Sequence, residues 1–356
     1  MNRIIFHIPE KLNLNRPSAS QLRPQKIIKT FRENGFVVDI VEGYGFERKT
    51  QIEKIKKNIL KGIKYDFLYS ESSTMPTALT EDNHMPFYCF LDFSFFAFCK
   101  RYDIKIGLFY RDIYWCFNRS TINWKQRIAN VFYRYDLRKY ETLVDVLFLP
   151  SLKMFSFIPF NFKGQTTELP SGLDLSFISK SKNEDKINIL YVGGIGQHYD
   201  LHLIMDVVTN LSNFSMTICC RKDEWDLVKG EYQLSLGDNI HIVHKSGDEL
   251  YSLFKEADLF NLFIEPTEYR SFAVPYKLFE AIGYGCPILA SKGTWVADFV
   301  TKNQIGMVCN YTYAALFDLL RSFKKDDLEK INKLMPSIAE ENTWNKRVKK
   351  IVTYLS

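Results

Sequence analysis

The chain has 356 residues, too many for one ordinary core and comfortable for two domains of average size. Its 46% hydrophobic and 25% charged residues exclude a disordered polymer. A surplus of 47 Lys plus Arg over 41 Asp plus Glu, net +6, suits an anionic small molecule or an anionic membrane surface but is too weak to argue for nucleic acid.

The first apolar run, "RIIFHIP", reads as a buried strand. The loop "EKLNLNRPSAS" leads to a helix near residues 20–34 that stops at Asn34-Gly35. "FVVDIVEG" is a second strand, "KTQIEKIKKNILKG" a polar amphipathic helix, and "YDFLYSES" a third strand. An aromatic helix over 86–102 precedes the strand "IKIGLFY", and a long basic helix, roughly 121–143, precedes "VLFLPS". "ELPSGLDLSF" ends this half, and the polar stretch "SKSKNEDK" at 179–186 reads as a linker. The pattern then restarts with "INILYVGG", "SMTICC", "NIHIVHK", "LFNLFIEP", "PILAS" and "GMVC" as strands between helices. Strands alternating with helices imply βαβ units and parallel sheets, so two doubly wound α/β halves facing a cleft are expected. The expected bounds are 1–178, 187–340, and a terminal helix over 341–356 that crosses back to the first half.

No segment holds the roughly 18 apolar residues that cross a bilayer, since "MPFYCFLDFSFFAFC" is short and interrupted by Asp92. "MNRIIFHIPE" lacks the features of a signal peptide. Seven cysteines without a C-x-x-C pair, among them Cys219 and Cys220 in an apolar run, read as reduced. A cytoplasmic setting is expected.

Candidate chemistry concentrates in the second half. Gly193, Gly194 and Gly196 follow a predicted strand and open a predicted helix, where backbone N–H groups can approach a diphosphate. The spacing falls short of a full dinucleotide fingerprint, and a purely structural turn is an equal reading. Arg221 and Lys222 end the next strand, and Arg270 lies in the loop before "VPYKLFEAIGYGCPILAS"; each could meet phosphate oxygens, or simply face water. Within that motif Pro275 suits the first helical position, and Lys277 and Glu280 share one helix face near its start. Glu280 could pair with Lys277 or accept the hydroxyls of a ribose. His244 closes a strand near the same edge, and a nucleotide role is open to it. His198 and His202 lack a third metal ligand. In the first half His7 could face an acceptor. Arg111 and Asp112 follow a strand, where Asp112 could orient or deprotonate an acceptor hydroxyl or form a structural Arg–Asp pair. The segment from Arg119 to Glu141 interleaves Lys125, Arg127, Arg134, Arg138 and Lys139 with Trp124, Val131, Phe132 and Tyr135. It reads equally as a membrane-surface helix or as a solvated helix packing its aromatics inward.

These motifs together resemble the GT-B glycosyltransferases, specifically the bacterial family-four type of capsule and O-antigen synthesis. "LPSGLD" at 169–174 looks like the family's junction between domains, "ILYVGGIG" like its strand and glycine turn, and "DELYSLFKEADLFNLFIEP" like the segment before its site. "VPYKLFEAIGYGCPILAS" looks like its signature, and "ENTWNKRVKKIVTYL" like its closing helix. The resemblance implies a metal-independent, cofactor-free transferase taking a nucleoside-diphosphate sugar, expected to be UDP-linked, to a glycan or polyprenyl-linked acceptor with retention. It implies Glu280 on the ribose and Arg221, Lys277 and Arg270 on the diphosphate. Phe272 stands where many members carry a second glutamate, and Asp112 occupies roughly the place of the family's acceptor-domain histidine. A nucleotide-sugar epimerase of the same fold and a non-catalytic nucleotide-sugar-binding partner are the rival readings.

Overall fold

The structure, a computed structural model, describes residues 2–13, 18–117, 123–177, 186–196 and 198–356. All of the expected linker but Lys186, together with Arg119 and the first two residues of the expected basic helix, lies outside the described residues. The chain divides into two compact units, Met1–Gly172 with Trp344–Ser356, and Leu173–Thr343.

The first unit carries β1 (Arg3–His7), α1 (Ala19–Glu33), β2 (Val37–Val41), α2 (Gly45–Leu60), β3 (Phe67–Glu71), α3 (Leu91–Arg101), β4 (Lys105–Phe109), α4 (Trp124–Leu143), β5 (Val146–Leu149) and β6 (Gln165–Glu168). All six strands are parallel, in the order β2-β1-β3-β4-β5-β6. Apolar runs in β1, β3 and β5 are buried on both faces, as a sheet covered by helices requires. The last helix, α12 (Trp344–Leu355), belongs to this unit. Its Trp344, Val348, Ile351 and Leu355 recur at helical spacing and are buried. Leu355 packs over Gly107 of β4, where a Cβ would come within 2.7 Å of its methyl carbon, so a glycine is needed beneath the helix.

Two elements differ from the expected ones. The aromatic helix begins at Leu91 rather than 86, because Pro86 and the turn at 84–90 occupy the earlier residues and leave Phe87 and Phe90 exposed. Gln165–Glu168 forms an unforeseen edge strand; its polar "QTTE" carries no apolar run, and it is held by pairing with β5 and by the bond from the Thr167 hydroxyl to that of Tyr354 (3.2 Å).

The second unit carries β7 (Ile187–Val192), α5 (His202–Thr209), β8 (Phe214–Cys219), α6 (Lys222–Val228), β9 (Ile240–Val243), α7 (Leu250–Glu256), β10 (Leu259–Leu262), α8 (Tyr276–Gly283), β11 (Ile288–Ser291), α9 (Trp295–Asn303), β12 (Gly306–Cys309), α10 (Tyr313–Ser322) and α11 (Lys325–Glu341). Its parallel strands run β12-β11-β10-β7-β8-β9. The chain starts at β7, winds one way to β9, then jumps back to β10 and winds the other way. Each unit is therefore a Rossmann-like doubly wound α/β layer, and in the second the topological switch falls between β7 and β10. Ligands of open α/β sheets bind outside the carboxyl ends of the strands at such a switch. Among the described residues no helix is long and apolar enough to cross a membrane.

Candidate functional site

The loops at the carboxyl edge of the second sheet gather most of the charged candidates. Strand register places Val192, Cys219 and Val243 side by side at the ends of β7, β8 and β9. Gly193, Arg221 and His244 follow these ends, so three successive strands deliver them to one edge. The Gly193 N–H donates to the Cys219 carbonyl (3.0 Å), and His244 Nδ1 lies 2.9 Å from the Cys220 carbonyl.

The glycine turn does not open the helix directly. Gly196 takes φ +120, a conformation open to glycine but strained for other residues, and its carbonyl accepts the Tyr199 N–H (2.8 Å). Helix α5 begins only at His202. The N–H groups of the turn are thus separate from the helix terminus expected beside them. The Tyr191 hydroxyl donates to the Gly194 carbonyl (2.5 Å) and so fixes the turn from beneath; burial holds that phenol well above its ordinary range.

Arg270 stitches the switch point together. Its guanidinium donates to the Glu265 carbonyl (2.7 Å) in the loop after β10 and to the His198 carbonyl beyond the glycine turn, and it lies 5.7 Å from the Tyr199 ring centre. Phe272, two residues on, is buried against Tyr269.

Pro275 is the N-cap residue of α8, one position before the helical start expected for it. Its fixed φ and missing N–H suit that entry, and Lys277 and Glu280 fall in the first two turns, joined in a partly exposed ion pair. The Lys277 ammonium is close enough to Cys219 to favour its thiolate. Burial outweighs this and the hydrogen bond to the Lys245 carbonyl, and the thiol is raised overall. Glu280 in turn acts with burial to raise the Tyr284 phenol. The Cys219 thiol, at the end of β8, donates to the Lys245 carbonyl (3.3 Å), and the Lys245 ammonium donates to the Ser252 hydroxyl (3.1 Å).

Arg221, the N-cap residue of α6, is largely exposed and pairs with Glu224 (2.5 Å). The second Glu224 oxygen is shielded from solvent without a hydrogen-bond partner, and a Cβ on Gly194 would lie 3.4 Å from it. Sequence reasoning missed both Glu224 and Lys245. Lys245 directly follows His244 at a strand end, a position that should have drawn it in; the link from Glu224 to the glycine turn is tertiary and left no local signal. His202 stacks on Tyr232 at 3.9 Å and bonds to Asp200 (2.6 Å), a structural engagement. Among the described residues no three His, Cys, Asp or Glu side chains are grouped as a metal ion would need.

The first unit treats its charges differently. His7 is buried, its ring nitrogens engaged by Ser70 (2.8 Å) and Asp92 (2.9 Å), and Asp92 also accepts from Arg48 (3.0 Å). The imidazole and guanidinium hold the Asp92 carboxyl below its usual range against the opposing effect of burial. Arg111 does not form the local pair with Asp112 that sequence allowed. It reaches Glu71 (3.2 Å), the Ser72 carbonyl (3.1 Å) and the Ser20 carbonyl (2.8 Å). The last contact has a sequence cause: Pro24 sits inside α1 without an N–H, so the Ser20 carbonyl four residues earlier needs another donor. Asp112 accepts the Tyr114 N–H (2.9 Å) in a tight turn.

Two Rossmann-like units of six parallel strands define the GT-B class of fold. Solved structures agree along nearly the whole chain. Sucrose-phosphate synthase from Thermosynechococcus elongatus superposes with TM-score 0.70 at 11% identity, covering 99% of this chain and 98% of that one. HepE of Anabaena in complex with UDP gives 0.66 at 12%, covering 100% and 99%. WaaG, a glycosyltransferase involved in lipopolysaccharide biosynthesis, gives 0.63 at 13%, covering 99% of each. Identities this low speak for the fold. Residues 174–341, nearly the whole second unit, match the family model described as Glycosyl transferases group 1. No curated protein matches the chain in sequence.

Proposed function

We propose that the protein transfers a sugar from a nucleoside-diphosphate donor, UDP-linked, to a hydroxyl of a glycan or polyprenyl-linked glycan acceptor in surface polysaccharide synthesis, with retention of anomeric configuration. The observation that carries this reading is the Glycosyl transferases group 1 match over 174–341, the segment that holds all of the donor-side candidates. HepE, of the same fold, has been seen with UDP and with UDP-glucose. In the proposed complex Glu280 leaves Lys277 to accept the ribose hydroxyls. Lys277, Arg221 and Arg270, with the N–H groups of Gly194 and Gly196, stabilise the charge that develops on the departing diphosphate, while Gly193, its N–H given to the Cys219 carbonyl, shapes the turn. His244 lines the nucleotide's side of the edge. These groups make a metal unnecessary for leaving-group stabilisation. Asp112 orients the acceptor hydroxyl, a role within reach of a carboxylate held in a turn. A polyprenyl-linked acceptor puts the enzyme at the cytoplasmic face of the cell membrane, peripheral to it and touching it through the basic helix.

The test is incubation with UDP-, GDP- and CMP-sugars, with and without a lipid-linked acceptor. Nucleotide released only when acceptor is present supports transfer. Interconverted sugars without release would replace the reading with epimerisation, and binding without either would leave a non-catalytic partner.

A further inference from the structure

Helix α4 presents an apolar stripe to the outside of the first unit. Trp124, Ile128, Val131 and Tyr135 recur at three- and four-residue spacing, and the first three are 68%, 45% and 65% exposed. The core is served by the other side of the helix, where Asp136, Leu137 and Tyr140 are buried. The reading in which the helix turns all its aromatics inward therefore fails for Trp124. The stripe continues into the turn before α3: Phe90 lies edge-on to Tyr135 at 6.4 Å, and Phe90, Phe87 and Met85 are 68%, 67% and 49% exposed.

Charge frames this patch on both flanks. Arg127, Arg134 and Arg138 lie along one side of the stripe, Lys125 and Lys139 along the other. The two acids of α4 are occupied elsewhere: Asp136 is buried and accepts the Thr77 N–H (2.7 Å), and Glu141 accepts the Asn161 N–H (2.6 Å). The outward face is thus apolar at its centre, cationic at both margins and free of carboxylates. Contiguous exposed aromatics of this kind mark an interaction site, and a basic rim around an apolar stripe fits the boundary between acyl chains and anionic headgroups.

We propose that the outer face of α4 and the turn at 85–90 form one docking surface for an anionic lipid bilayer. The aromatics enter the acyl boundary, and the arginines and lysines remain at headgroup level. Beyond the expected helix, the proposal assigns Met85, Phe87 and Phe90 to the contact. It rests on and deepens the membrane contact proposed above, and its failure is distinguishable from a failure of the transfer reading, because lipid binding is read without donor or acceptor.

The test is flotation of the full chain with vesicles of phosphatidylcholine alone or mixed equally with phosphatidylglycerol. Binding to anionic vesicles should exceed binding to neutral ones by roughly tenfold or more and weaken strongly near 0.5 M salt. Arg127→Glu/Arg134→Glu/Arg138→Glu should cut binding by at least about tenfold, and Phe87→Ser/Trp124→Ser/Val131→Ser should lower it several-fold even at low salt. Far-UV circular dichroism checks folding, and the serine variant, altered only at exposed positions, carries the test if the arginine variant misfolds. Equal binding to both vesicle types, no binding by the wild type, or wild-type binding by the serine variant overturns the proposal. So does loss of vesicle binding in millimolar inorganic phosphate with the serine variant unaffected, which would indicate a soluble-anion site.

Discussion

Asp136 should make the first unit less stable as the pH rises. The residue is 4% exposed; one carboxyl oxygen accepts the Thr77 N–H at 2.7 Å, and the other is buried without a hydrogen-bond partner. Burial raises the carboxyl from the ordinary 3.8 to about 7, opposed by the Thr77 hydrogen bonds and assisted by the charge of Asp92. Because the folded value lies above the unfolded one, the native state holds this proton more tightly. The stability it contributes is complete below about pH 4 and is lost as the pH climbs through 7. A gap of about three pH units at ~1.4 kcal/mol each sets a limit of about 4 kcal/mol, of which about 2.5 kcal/mol falls between pH 5 and 8. Asp136→Asn mimics the protonated form and removes the titration. Urea denaturation of wild type and variant at both pH values isolates this group, since all other titrations cancel. With a slope of roughly 2 kcal/mol per molar urea, the variant's midpoint should gain about 1 M on wild type between pH 5 and 8. Water entering the site on ionisation lowers the figure. A relative gain under about 1 kcal/mol would refute the reasoning, because the carboxylate would then be solvated in the fold.

Three further outcomes follow from the contacts. Glu280→Ala should weaken UDP binding by roughly ten- to hundredfold in calorimetry while leaving the melting temperature nearly unchanged, since the residue's only ion pair among the described residues is the partly exposed one with Lys277; undiminished affinity would retire the ribose role. Gly196→Ala should cost about 1–2 kcal/mol in thermal unfolding, through φ +120 rather than crowding, as a Cβ there would meet nothing nearer than 3.6 Å. Arg111→Met should cost on the order of 3 kcal/mol, because it leaves the fully buried Glu71 with Arg23 and the Tyr69 hydroxyl on one oxygen, removes the donor to the other, and strips the Ser20 carbonyl of its donor; a near-neutral result would mean that water replaces the guanidinium.

The layered fold was legible because both sheets are buried on two faces. Strands such as "RIIFH" and "INILYV" then read as unbroken apolar runs, and Pro275 placed the start of α8 to within one residue. The edge strand Gln165–Glu168 was hidden by the same logic, since an edge needs pairing more than burial and its composition stays polar. Among the candidates, Lys277 and Glu280 were visible through helical spacing alone. The partner of Arg111 was not, because the vacancy left by Pro24 matters only once α1 lies beside the end of β4. Nor could spacing reveal that the glycine turn and α5 are separated by an additional turn at Tyr199.

The two units deploy charge in opposite ways, and this bears on which of them holds a ligand. In the first, Arg23, Arg48 and Arg111 are committed to Glu71, Asp92 and main-chain carbonyls, with Arg23 also lying 3.6 Å from the Phe109 ring centre. Removing a partner from such a buried set leaves an uncompensated charge, so those residues are fixed in place and poorly suited to exchanging partners with a substrate. In the second, Arg270 also gives its guanidinium to main-chain carbonyls but is only partly buried, and Lys277–Glu280 and Arg221–Glu224 are short-range pairs on single helices, partly exposed and inexpensive to open. An incoming diphosphate and ribose could replace each internal partner with a stronger one. That is what a site requires when it must hold its cations ready, remain soluble when empty, and release its product.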